Sequence, residues 1–100
     1  MSLLRRTLLA LPLVLVACGD RTGVTALAGN APAGQALYAT HCQSCHGASG
    51  TGRANAAGEA KSDPSEAASV ILGGKEEMPA YAGTLTTQQV ADILAYLQTL

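Results

Sequence analysis

The sequence predicts a small, all-α domain. Three observations carry that prediction. Apolar residues recur at helical spacing in the second half of the chain, at Ala67, Val70 and Ile71 and again at Val90, Ile93, Leu94 and Leu97. Both stretches open on helix start signals, and the first closes on Gly73-Gly74. No run of β-branched or aromatic residues alternates as a strand would, in a chain with no Phe, no Trp and three Tyr. One hundred residues allow one such domain at most.

Residues 1–17 fall outside that domain. Arg5-Arg6 followed by the apolar run 8–16 reads as a bacterial export signal. The run is too short to span a bilayer as a helix. It ends in Leu15-Val16-Ala17-Cys18, which resembles the lipobox of bacterial lipoproteins. That resemblance implies that Cys18 is lipidated and becomes the first residue of the mature chain; the alternative is an ordinary cleaved signal with a chance cysteine. Residues 18–31 follow as the lipidated cysteine and a Gly-, Ala- and Thr-rich tether without helical or strand period. Random-coil scaling gives it a reach on the order of 20 Å. Residues 32–100 are the expected folded domain.

The first helix is expected over residues 32–46, with Pro32 near N1. Gly34, Tyr38, Cys42 and Cys45 lie on one stripe. The helix runs into Cys42-Gln43-Ser44-Cys45-His46, a C-x-x-C-H sequence, which is the attachment signature of a c-type haem. Cysteines three apart meet on one face of a helical turn, so two thioethers can form along one porphyrin edge. The adjacent histidine then reaches the iron as proximal ligand. Three other uses of the pair compete. A thioredoxin-like dithiol needs a βαβ context, and no strand precedes the motif. A zinc site needs four ligands, and beyond Cys42, Cys45 and His46 the candidates are poor. A structural disulfide leaves His46 unexplained.

The haem reading also resolves the odd cysteine count. Of three cysteines, two go to haem and one to lipid, with none left over. Haem c is attached outside the cytoplasm, so export signal and motif support each other. After loss of residues 1–17, Arg21, Arg53, Lys61 and Lys75 face seven carboxylates. That balance offers no basic patch for nucleic acid and no polybasic membrane segment.

Gly47, Gly50 and Gly52 break the first helix into a loop. The second helix starts at Asp63-Pro64, an N-cap with proline at N1, and stops at Gly73-Gly74. An extended loop over residues 75–85 follows. The third helix starts at Thr86, which forms a capping box with Gln89.

The loop 75–85 holds Met78, the only methionine besides the initiator. Pro79 pushes it toward extended geometry, as a strap across the distal haem face requires. Its thioether is a soft ligand, and Met/His ligation raises the reduction potential; the alternative is a gap-filling core methionine. His41 adjoins Cys42 on the proximal side and cannot reach the opposite face, so it reads as a partly exposed surface residue.

These residues resemble a class I monohaem cytochrome c over about residues 33–98. The resemblance rests on three matches in order. Gly34-Gln-Ala-Leu-Tyr38 leads into Cys42-Gln-Ser-Cys45-His46-Gly47. Val70-Ile-Leu-Gly73 is followed by Met78-Pro79-Ala80-Tyr81. Leu85-Thr86 leads into Ile93-Leu94-Ala95-Tyr96-Leu97. It implies a cytochrome c fold, with three main helices wrapped around one covalent haem c and the first and last crossing near Gly34 and Tyr96. Tyr38 and Tyr96 read as core; Tyr81 and Arg53 are candidates for haem propionate contacts. Two departures stand out. Family members often carry a proline soon after C-H-G whose carbonyl orients the proximal histidine, and residues 48–61 have none. Another carbonyl must then accept the His46 N–H. Only 32 positions separate His46 from Met78, short for the family, which implies a more exposed haem edge.

The function expected from this is electron transfer, with both axial positions filled and no catalytic residue. Redox proteins are the expected partners, with no nucleic acid and no small-molecule substrate. The expected location is the periplasmic side of a bacterial membrane or the cell surface, lipid-anchored. A second reading is a permanent haem subunit of a larger dehydrogenase or oxidase complex. A third, a haem sensor or peroxidase-like enzyme, needs an open distal position, and no distal His or Arg lies near Met78 in the sequence.

A domain of this size without large aromatics buries a limited core. The haem-free protein is therefore expected to be largely unfolded. Circular dichroism should show weak helical signal and no cooperative melt, and a cooperative haem-free transition would contradict this.

Overall fold

Helix backbones approach most closely where a residue has no side chain, and here that residue is Gly34. The computed structural model describes residues 22–100. They form a 3₁₀ turn, Val24–Ala26, and five helices: α1 (Ala31–His41), α2 (Gln43–His46), α3 (Ala56–Ser62), α4 (Pro64–Gly73) and α5 (Thr87–Leu97). No strand occurs among the described residues; one isolated bridge joins Lys75 and Met78. Residues 1–17 and Cys18, expected as export signal and lipid site, lie outside the described residues. No described helix is long and apolar enough to cross a membrane.

α1 packs along α5 more extensively than any other pair of helices. A Cβ on Gly34 would sit 1.8 Å from the Asp92 carbonyl oxygen, so only glycine permits this approach. The resemblance placed the crossing near Gly34 and Tyr96; in the structure Gly34 meets the α5 backbone one turn earlier, at Asp92 and Ile93. Tyr96 instead packs against Tyr38, with ring centroids 5.4 Å apart.

The second and third expected helices form with the expected start signals. Asp63 caps α4 by accepting from the Glu66 N–H at 3.1 Å. Thr86 and Gln89 form the reciprocal box on α5, at 3.1 and 2.9 Å. Their apolar faces bury Ala67, Ala68, Ile71 and Leu72 from α4, and Val90, Ile93, Leu94 and Leu97 from α5.

Four expectations need correction. The first helix ends at His41 rather than running unbroken to residue 46, and Cys42 joins it to the separate turn α2. Within residues 48–61, expected as loop, lies the short helix α3, capped by Asn55, whose side chain accepts from the Gly58 N–H. It buries Ala57 and Ala60. The loop 75–85 is not extended throughout: Lys75 and Met78 exchange both backbone hydrogen bonds across a two-residue turn. The described part of the expected tether, residues 22–30, lies on the domain. Val24 is fully buried, the Gln88 side chain donates to the Ala28 carbonyl, and the Asn30 N–H donates to Asp92 Oδ1 at 2.8 Å. Asp92 explains the docking. It is a buried carboxylate, and such a group needs donors; it takes them from Asn30 and from Gln88.

Gly34→Ala should destabilise the holoprotein by about 3 kcal/mol or more, because neither helix backbone can retreat alone. Gly73→Ala, with nothing within 4 Å of its added Cβ, should stay within about 0.5 kcal/mol of the parent. Thermal unfolding of the two variants checks the contrast.

Candidate haem centre

The five helices enclose less than they could. Between the α1–α2 segment, α4, α5 and the loop carrying Met78 lies a cavity of about 840 Å³, within the size range of small-molecule and cofactor sites. Val70, Ile71, Ile93 and Leu97 supply apolar wall. Cys42, Cys45, His46 and Met78 all line the same space, so the fold gathers the whole donor set that the sequence singled out.

The motif is held by one helical turn. The N–H groups of Cys45 and His46 both donate to the Cys42 carbonyl, at 3.2 and 3.0 Å. Cys42 is buried and Cys45 exposed, and both thiols are free. Burial pushes the Cys42 thiol up to about 11, so it stays protonated at neutral pH. The disulfide and zinc alternatives find no support in this geometry. The cysteines are unpaired, and among the described residues no three His, Cys, Asp or Glu side chains gather to hold a metal ion.

The loop after the motif folds back beneath it. Gly47 and Gly50 adopt left-handed φ values of 78° and 77°, the Gly52 N–H donates to the His46 carbonyl at 2.7 Å, and the Arg53 N–H donates to the Cys45 carbonyl at 3.2 Å. The Tyr38 hydroxyl donates to the Gly47 carbonyl, which fastens this loop to α1. Burial, first of all, raises the Tyr38 pKa and keeps that donor protonated. His46 Nδ1 is buried without a hydrogen-bond partner. No carbonyl among the described residues takes the role that the missing proline left open. Two cysteines, a histidine and the soft donor Met78 set against apolar walls fit a haem.

Met78 is half-buried and packs on the core. Its segment turns sharply: Gly74 has φ 78° and Glu76 φ 56°. Positive φ at the first central residue and not the second is the pattern of a type II′ turn. The segment then returns along the end of α4, with the Tyr81 N–H on the Ile71 carbonyl (2.9 Å) and the Ala82 N–H on that of Leu72 (3.2 Å).

Tyr81 and Arg53, the candidate propionate contacts, both line the cavity but have protein partners. The Tyr81 hydroxyl donates to the His41 carbonyl at 3.1 Å. Arg53 pairs with Glu77 at 3.3 Å. His41 is half-buried, with its ring edge-on to Tyr81 at 5.7 Å. Sequence reasoning missed Glu77 altogether. Its place beside Met78 was visible, but not that the loop after α2 would bring Arg53 to it.

Comparison with known proteins identifies the family of this fold. Residues 29–97 match the family described as cytochrome c oxidase, cbb3-type, subunit III. A dihydro-heme d1 dehydrogenase from Pseudomonas aeruginosa is 38% identical over 94 residues, covering 85% of this chain and 18% of that protein. The chain thus spans about a fifth of that relative. Among solved structures, cytochrome c6 from the diatom Phaeodactylum tricornutum is 25% identical with a TM-score of 0.58, over 69% of this chain and 91% of that one. The dihydro-heme d1 dehydrogenase NirN in complex with DHE is 35% identical with a TM-score of 0.56, over 65% and 15%. Cytochrome CL from Methylophaga aminisulfidivorans, 23% identical, shares the fold with a TM-score of 0.59, over 68% and 52%.

Tyr38→Phe should leave the cavity intact but free the loop carbonyl of Gly47. The expected cost is about 1 kcal/mol, read as a thermal midpoint roughly 4–8 °C lower for a domain of this size.

Proposed function

The chain belongs to the cytochrome c family of cbb3-type oxidase subunit III, and from that premise we propose a single-haem, class I electron carrier with His46 and Met78 as its axial ligands. One covalent haem c is the cofactor, and electron exchange with redox partners is the activity. The haem supplies an iron that alternates between ferric and ferrous. Everything else falls to the polypeptide. In this reading Cys42 and Cys45 carry the two thioethers, and His46 and Met78 fill the axial positions, leaving no site for a substrate. The apolar walls exclude water and keep the surroundings of low polarity.

The observation that carries this reading is the single cavity shared by both cysteines, His46 and Met78. Soft thioether donation from Met78 favours the reduced form and sets a raised potential. Arg53 and Tyr81 act on the protein side of the cleft, through Glu77 and His41.

A second reading has an observation of its own. This unit corresponds to only 18% of the Pseudomonas aeruginosa relative, so the same fold also serves inside a larger redox protein. There it would pass electrons to a fixed neighbour. Cytochrome c6, of which the chain covers 91%, supports the free carrier instead. For residues 1–17 and Cys18 we propose export and lipid anchoring on the outer side of a bacterial membrane. Mass spectrometry of the mature protein reads this directly, as a lipid-modified N-terminal Cys18.

The decisive test of the carrier is optical. The ferric protein should show a weak band toward the red that disappears in Met78→Ala, while carbon monoxide binds the ferrous variant readily and the parent poorly. A high-spin parent that binds carbon monoxide would instead favour the sensor or enzyme.

A further inference from the structure

The Met78 segment is tied to the rest of the domain on both sides of Met78. On one side the Tyr81 hydroxyl reaches the His41 carbonyl beside Cys42. On the other, Glu77, the residue immediately before Met78, meets Arg53 at 3.3 Å. Arg53 belongs to the loop that hangs from the motif itself, since its N–H donates to the Cys45 carbonyl. The ion pair therefore joins the segment carrying one proposed ligand to the loop behind the other, across the rim of one cavity.

We propose that Arg53 and Glu77 form an electrostatic clasp that holds Met78 in place. They are positioning residues: neither is assigned a contact with the iron. This rests on the Met78 ligation proposed above and adds what controls it. Two features of the segment explain why a clasp is needed there. The turn at Glu76 holds a non-glycine residue at φ 56°, a conformation that costs free energy. The first hydrogen bond from the segment back to α4 comes at Tyr81, three residues beyond Met78. Between Lys75 and Tyr81, the Arg53–Glu77 pair is the tie that reaches the motif side of the cavity, among the described residues.

The magnitude is modest by construction. The two side chains are 66% and 89% exposed, and exposed pairs contribute little and weaken with salt. A displaced Met78 is a minor state, so a ligand that takes its place binds with an apparent affinity scaled by the population of that state. Loss of the clasp raises that population by a factor of about 2–5.

The experiment is titration of the ferric holoprotein with imidazole, followed by loss of the red band. Arg53→Gln and Glu77→Gln should each raise imidazole affinity about 2–5-fold at low salt. The double variant should add little to either, and high salt should bring the parent toward the variants. The exchanged pair, Arg53→Glu with Glu77→Arg, should recover part of the loss. Thermal midpoints should barely move, which separates a clasp from general destabilisation. If Arg53→Gln alone has an effect and Glu77→Gln none, Arg53 acts elsewhere, on a propionate for example, and the clasp is wrong. It is equally wrong if the red band is present and imidazole affinity is the same in all variants. Absence of the red band from the parent overturns Met78 ligation and the clasp together.

Discussion

The contact between Gly34 and the α5 backbone is the constraint on which the remaining geometry depends. With no side chain between them, α1 and α5 lie close enough that a single methyl group would overlap the Asp92 carbonyl. That approach fixes where the C-terminal end of α1 delivers Cys42, and where α5 presents Ile93 and Leu97 to the same cavity. It also buries Asp92. A carboxylate removed from water needs donors, and it recruits Asn30 and Gln88. The segment ahead of α1 is thereby drawn onto the domain, with Val24 sealed beneath α4 and α5.

Small residues make up part of the core. Ala57, Ala60, Ala67, Ala68 and Ala91 are all buried, and Tyr38 is the largest fully buried side chain. Such residues bring helices together but cannot fill the space their curvature leaves. The cavity of about 840 Å³ is the consequence. A large, flat, apolar macrocycle, as proposed above, would supply the missing interior. Stability and function would then be tied, since the walls that would exclude water from the iron are the walls that hold the fold.

The two sides of the cleft are restrained differently. The motif side is stiff, since backbone hydrogen bonds from Cys45 and His46, the folded-back glycine loop and the Tyr38 hydroxyl all converge on it. The Met78 side hangs from a tight turn, a buried-end tether at Tyr81 and a solvent-exposed ion pair. An electron carrier must keep its coordination nearly unchanged between oxidation states. A rigid proximal turn and a short, laterally tied strap meet that requirement with few residues.

Features with local causes were legible in the sequence. Capping side chains act within three residues, so the starts of α4 and α5 at Asp63 and Thr86 could be read directly. The C-x-x-C-H spacing encodes its own chemistry, and Met78 stood out as the only methionine outside residues 1–17. What depended on distant partners was not legible. α3 has alanine and glycine where an apolar stripe would announce a helix, and it exists because Ala57 and Ala60 find a core to enter. Residues 22–30 carry no period of their own and are ordered by Asp92, which lies 62 positions beyond Asn30. Arg53 and Tyr81 were identifiable as polar groups near a haem, but their partners, Glu77 and the His41 carbonyl, lie 24 and 40 positions away. The sequence by itself determined the starts of α4 and α5 and the class of cofactor, and it marked the candidate donors, because each is written in residues close along the chain. Only the tertiary structure decided which groups those donors are braced against, because hydrogen bonds and ion pairs between distant segments form only after the α1–α5 contact has closed.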